Sequence, residues 1–123
     1  MELNLKDRLI VLKSVLPQFD TRSNIKLKNA ICEKVQLSAA EEALVIYTNV
    51  GNNQYEIGFK SVEAITAVTA INFSDEELLY LKGRIDFVDR NGMFSADTID
   101  TYEKFLDAPF QSEEYQTKWE ERA

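Results

Sequence analysis

Leu5, Leu9, Leu12 and Leu16 recur at spacings of four, three and four. That period puts them on one face of a helix, with Asn4 as its N-cap and Pro17 as its terminator. Residues 18–23 read as a connector. A second helix is expected over 24–35, with Leu27, Ile31 and Val35 on its apolar face and Cys32 bordering that face as buried filler. Ser38 and Glu41 have capping-box spacing, which predicts one or two helical turns through Ala43.

The period then changes. Residues 44–49 and 54–59, LVIYTN and QYEIGF, flank Val50-Gly51-Asn52-Asn53 and read as two strands around a turn. Tyr55, Ile57 and Phe59 alternate with Gln54, Glu56 and Gly58, so one face is expected to be buried. The β-branched residues toward the end of 61–73 predict a strand at 69–73, while 61–68 fits helix and strand equally. Ser74-Asp75-Glu76-Glu77 is the clearest helix start, and Leu78, Leu81, Ile85 and Val88 form the stripe that follows. Asn91-Gly92 supplies its stop. Ser95 is then expected to cap a helix whose face carries Ile99, Tyr102 and Leu106, ending at Pro109. Residues 110–123 read as a polar tail that either adds a short helix through Tyr115 and Trp119, which are four apart, or docks loosely or frays. The expectation is one α+β domain over 1–123. Its N- and C-terminal helices pack on a small antiparallel sheet of two or three strands.

Composition narrows the chemistry. A chain of 123 residues buries about two-thirds of its unfolded surface and folds without staples. It has no histidine and one cysteine, which removes the commonest acid/base and metal ligand and leaves no pair for a disulfide or a structural zinc. The lone thiol fits a reducing compartment. The net charge of −7 lies wholly in residues 71–123, which hold thirteen acidic against six basic side chains. Such a balance argues against nucleic acid as a partner, and no apolar run approaches a membrane span. The N-terminus has no basic start and reads as an amphipathic helix rather than a leader.

Three constellations carry possible chemistry. In DFVDRNGMFSADT, Asp89, Asn91 and Gly92 sit as at positions three, five and six of a calcium loop. Position one would be Phe87 and position twelve Thr98, and Asp86 is one residue out of register, so the main charged ligands are missing. Helix–turn–helix geometry accounts for the same residues. The acidic groups at 75–77, at Asp97 and Asp100, and at Glu113 and Glu114 lie at helix starts or in polar runs, where solvated faces are expected rather than a carboxylate pair. The basic stretch Arg22, Lys26, Lys28 and Lys34 reads as the solvent face of the second helix, and no glycine-rich phosphate loop is present.

LKDRLIVLKSVLP at 5–17, paired with INFSDEELLYLKGRIDFVDRNGMFSADTIDTYEKFL at 71–106, resembles a group of small, uncharacterised phage and prophage proteins. In these a leucine-rich helix ending in Leu-Pro precedes a Phe-Ser-acidic helix, a glycine turn and a Tyr-Glu-Lys-Phe segment. The resemblance implies a phage or prophage origin and the host cytoplasm. The group has no established activity and a metal is not part of its pattern; no cofactor is expected. The expected role is therefore non-enzymatic binding of an unidentified protein partner, through the acidic C-terminal half, with Glu113, Glu114, Tyr115 and Trp119 as contact candidates. The alternatives are a homo-oligomeric structural or assembly component, and a degenerate EF-hand-like module using Asp86, Asp89 and Asn91.

Overall fold

The computed structural model describes residues 1–52 and 54–122. Their order is β1 (Glu2–Leu3), α1 (Leu5–Ile10), a π-helical turn (Val11–Val15), α2 (Arg22–Val35), α3 (Ala39–Glu42), β2 (Val45–Gly51), β3 (Gln54–Phe59), α4 (Glu63–Thr66), β4 (Thr69–Ala70), α5 (Asp75–Arg90), α6 (Ile99–Asp107) and α7 (Glu113–Glu120). The α+β class expected from the sequence is present. The strands form two separate two-stranded antiparallel sheets, β1 with β4 and β2 with β3, instead of one.

Local chemistry explains the main helix starts. Asn4 and Asp7 cap each other reciprocally: the Asp7 amide donates to Asn4 Oδ1 at 2.8 Å, and the Asn4 amide donates to Asp7 Oδ2 at 3.1 Å. Ser38 with Glu41 and Ser74 with Glu77 form the same box on α3 and α5. At the far end of α5, Gly92 adopts φ +66°, its amide bonds Asp89 O and the Met93 amide bonds Val88 O. These are the two bonds of a left-handed helix stop.

The core lies between the π turn, α2, α5 and α6, with Val11, Ile31, Val35, Leu81, Ile85 and Phe105 fully buried. All four apolar positions expected on α5 are buried. The N-terminal leucine stripe is not continuous. Leu5 and Leu9 are buried, but Val11 and Val15 then replace Leu12 and Leu16, which are half-buried. The Leu16 amide bonds Val11 O, a five-residue step, and this wider turn rotates the buried face. On α6 the buried side chains are Thr101, Tyr102 and Phe105, while Ile99 is exposed. Ser95 heads a turn with Thr98 rather than capping the helix directly, and α6 begins at Ile99.

The expected strand at 69–73 is shorter, Thr69–Ala70, paired with β1 in the register Glu2↔Ala70 and Leu3↔Thr69. Residues 63–66, left open by the pattern, form a helical turn. The 44–59 hairpin is present, with Gly51 at φ +94° and Asn52 at φ +52° in its turn. Asn53 and the side chains of Gln54 and Tyr55 lie outside what is described. The buried face expected of β3 is covered only near its base, since Phe59 is half-buried and Ile57 is exposed.

Four charged side chains are buried, and each ties a helix end to another element. Asp7, already capping α1, accepts from Thr101 Oγ1 and Lys104 Nζ of α6, both at 2.5 Å. Arg8 donates to Val35 O (3.1 Å) and Gln36 O at the end of α2, and its guanidinium pairs with Glu41 on α3. Glu77 caps α5 and pairs with Lys34 of α2. Lys82 donates to Leu106 O and Ala108 O at the end of α6, beneath the rings of Phe110 and Trp119. Among the described residues no buried side-chain nitrogen or oxygen lacks a partner.

Removing one partner from such a set leaves the rest desolvated and unpaired. Arg8→Ala is therefore expected to lower the free energy of unfolding by about 3–5 kcal/mol. Arg8→Lys should recover only part of that, because an ammonium cannot reproduce the fork that reaches Val35, Gln36 and Glu41 together. Urea unfolding of the three proteins measures both.

Candidate functional site

Where a reaction centre would need free, buried, titratable groups, those of the body are committed to structure. Burial pushes the Glu77 carboxyl up, but Lys34 and the Ser74 cap outweigh it and leave the group below its ordinary value. Hydrogen bonding from Arg8 holds Glu41 low in the same way. Asp75 is lowered by the amide of Gln111 and also accepts from the Ser112 amide, which fastens the chain entering α7 to the start of α5. Burial and a hydrogen bond to Asp20 push the Tyr80 phenol up to about 12, so it stays protonated across the physiological range. Burial lowers Lys82, whose contacts are carbonyls and aromatic faces. Cys32 is half-buried on α2.

The residues singled out from the sequence fall in different places. Asp86 is on α5, 3.3 Å from Arg90 and 3.8 Å from Arg122. Asp89 is exposed on the last turn of that helix, and the Asn91 side-chain amide donates to Phe87 O. Helix and C-cap thus occupy the stretch where a calcium loop would begin. Among the described residues no three His, Cys, Asp or Glu side chains are grouped as metal ligands. Glu113 and Glu114 are exposed at the start of α7, where Glu114 pairs loosely with Lys118. Tyr115 is half-buried against Phe110. Trp119 is 9% exposed, held over Lys82 with the Arg122 guanidinium 3.4 Å from its ring centre. The four contact candidates therefore do not form one surface: the two glutamates face solvent and the indole faces the core. Of the basic stretch, Lys34 is tied to Glu77 and Asn72 O, while Arg22 and Lys26 are exposed.

Two of the grooves along the body bear on its chemistry. One of about 480 Å³ has an apolar floor of Ile71, Phe73, Leu78 and Pro109; of its charged residues Glu2, Asp75, Lys104 and Asp107, Lys104 and Asp75 are bonded within the chain. The other, about 420 Å³, lies between the N-terminal helix and the hairpin, with Leu9, Ile10, Ile57 and Phe59 below and Lys6, Glu56 and Asp97 around it. No helix among the described residues is long and apolar enough to cross a membrane.

The feature that pattern reading missed is the segment 45–68. Among the described residues, seven of the eleven exposed large apolar side chains fall within it. Ile46, Tyr47, Val50 and Ile57 are on the hairpin, and Val62, Ile65 and Val68 follow around α4. Val62 is 71% exposed. Of the described residues of the segment, only Val45 and Ala64 are among the buried hydrophobic side chains. Alternation correctly marked the strands, but it assigned a buried face to a hairpin that the body does not cover. Lys13 reaches the Tyr47 ring at 5.9 Å, and partial burial with Glu42 nearby raises the Tyr47 phenol. No protein-family model, curated protein or solved structure matches the chain significantly.

The lowered carboxyls set the acid limit of the fold. Glu41 and Glu77 both titrate below their ordinary value of 4.5 when folded, so the stability they contribute is complete above that pH. It is lost as pH falls through the folded values. Thermal unfolding measured between pH 7 and pH 3 should show a falling midpoint below about 4.5, and Glu77→Gln should start lower at neutral pH and fall less steeply on that limb.

Proposed function

We propose that the chain is a non-enzymatic, phage-type accessory protein that works in the host cytoplasm by binding another protein, and that segment 45–68 is its contact surface. One observation carries the reading: the exposed apolar side chains are concentrated in that single stretch of chain, while the body encloses its own core. Isolated surface apolar residues need no explanation, but a concentration of them is the ordinary mark of an association surface. The hairpin Val45–Phe59 carries one charged residue, Glu56, in a chain of net charge −7. Depletion of charge with retention of aromatic and aliphatic groups is the composition of an interface centre. The phage-type origin rests on the likeness of 5–17 and 71–106 to the small phage and prophage proteins. The non-enzymatic reading is supported by buried polar groups whose partners are helix ends.

Glu113 and Glu114 remain the rival surface, being exposed and adjacent. Affinity capture from the host followed by mass spectrometry separates the two. Recovery of a recurrent partner is expected to fall about tenfold with Val50→Lys plus Val62→Lys, and to persist with Glu113→Lys plus Glu114→Lys. The opposite pattern would move the contact surface to the start of α7. Far-UV circular dichroism of both double variants should match the parent, since all four positions are exposed.

A further inference from the structure

We infer that the outer edge of β2 is a homotypic docking edge, at which two copies of the chain join their hairpins into one four-stranded antiparallel sheet. The inference rests on the reading of 45–68 as the contact surface and names what occupies part of it.

The geometry follows from the ladder. The Lys60 amide bonds Leu44 O at 2.9 Å, so 44 and 60 are a hydrogen-bonded pair. Bonded and non-bonded pairs alternate in an antiparallel ribbon. With Ile46 opposite Gly58 and Thr48 opposite Glu56, the bonded pairs within the hairpin fall at 46/58 and 48/56. The amides and carbonyls of Val45, Tyr47 and Asn49 therefore point to the other side of β2. Among the described residues no strand pairs along that side. An uncovered edge is normally blunted by lysine, proline or an inward charge. Val45–Gly51, VIYTNVG, has none of these and is rich in β-branched residues.

The edge also fits itself. Thr48 is the middle residue of β2, and a two-fold axis through it sets Tyr47, Thr48 and Asn49 opposite their copies, short of the irregular step between Asn49 and Gly51. Tyr47 then faces Asn49 of the second copy as a hydrogen-bonded pair, which uses the outward groups on both strands. Thr48 faces Thr48 in the closer non-bonded position, where such side chains attract. The bodies sit at opposite ends of the sheet. Two chains of charge −7 repel across most of their surfaces, and β2 brings together strands that carry no charge. The β3 edge would instead draw two Glu56 carboxylates into neighbouring strands. Charge thus selects β2, and it selects a second copy as an occupant that needs no countercharge.

Sedimentation velocity of the full chain over a concentration series tests the inference. A reversible monomer–dimer equilibrium is expected, at the weak end because the contact is a strand edge. Thr48→Lys places an ammonium opposite Glu56 within its own hairpin, which preserves the fold, and against its own copy across the axis. It should weaken the dimer about tenfold or more. Thr48→Cys with Cys32→Ser should form a disulfide-linked dimer on mild oxidation, since paired α-carbons there lie about 4.5 Å apart. Glu113→Cys in the same background should not. A chain that stays monomeric up to about 1 mM overturns the inference, as does a dimer insensitive to both changes at Thr48. Loss of a captured partner with Val50→Lys plus Val62→Lys in a strictly monomeric chain would refute the homodimer while leaving the binding surface in place.

Discussion

Every buried charge in this molecule sits at the end of a helix whose dipole has the opposite sign. Asp7 and Glu77 lie at the N-termini of α1 and α5, and Arg8 and Lys82 lie against the last carbonyls of α2 and α6. A helix leaves unpaired amides at its start and unpaired carbonyls at its finish, so an anion or a cation placed there is desolvated against groups that also need a partner. That complementarity makes the burial tolerable. It also makes assembly conditional, because each side chain contacts a helix or turn other than its own: Asp7 reaches α6, Arg8 reaches the ends of α2 and α3, Glu77 reaches α2, and Lys82 reaches α6 and the aromatic lid of α7. Several long-range contacts are thereby satisfied together or not at all.

The same arrangement separates the molecule into two kinds of surface. The body, from the π turn through α2, α5, α6 and α7, satisfies its buried polar groups internally and encloses an aromatic core; Lys82 is roofed by Phe110 and Trp119, and Phe73 lies against Phe105. The segment 45–68 does neither. Its strands bond each other, but their side chains meet little of the body beyond Val45, Ala64 and the groove beneath Phe59. A two-stranded ribbon is marginal by itself in water, so what holds this one is its attachment at both ends to α3 and α4 and whatever further surface comes to cover it.

Much of this architecture was legible because it is written in local spacing. Ser74 and Glu77 are three residues apart and meet; Gly92 takes the positive φ that Asn91-Gly92 implies; the α5 stripe is buried at every expected position. What failed to show was set by contacts between distant residues. Nothing near Arg8 in sequence announces Val35, Gln36 or Glu41, and nothing near Thr101 announces Asp7. The β1–β4 pairing joins two-residue strands at opposite ends of the first 70 residues, too short for any period to mark. Trp119 was a contact candidate because the residues around it in sequence are polar, whereas in space its ring is held over Lys82 of the distant α5. The hairpin erred in the other direction. Period two shows that one face of a strand differs from the other, but carries no information about whether anything packs on it.

That last distinction is what makes the exposed strand informative. In a chain whose core charges are all matched, an apolar face left uncovered is not a shortage of material to cover it; Phe110 and the half-buried Tyr115 show that the C-terminal segment is used to enclose α5 instead. The acidic excess points the same way. Thirteen carboxylates in residues 71–123 keep copies of the body apart, and the hairpin lies outside that half of the chain. In the proposed pairing, repulsion over the rest of the surface would favour the segment where charge is scarce, and the alternation of bonding groups would limit the strands to registers two residues apart. Orientation is thus set by long-range repulsion and short-range backbone geometry together, with no need for a specific ion pair.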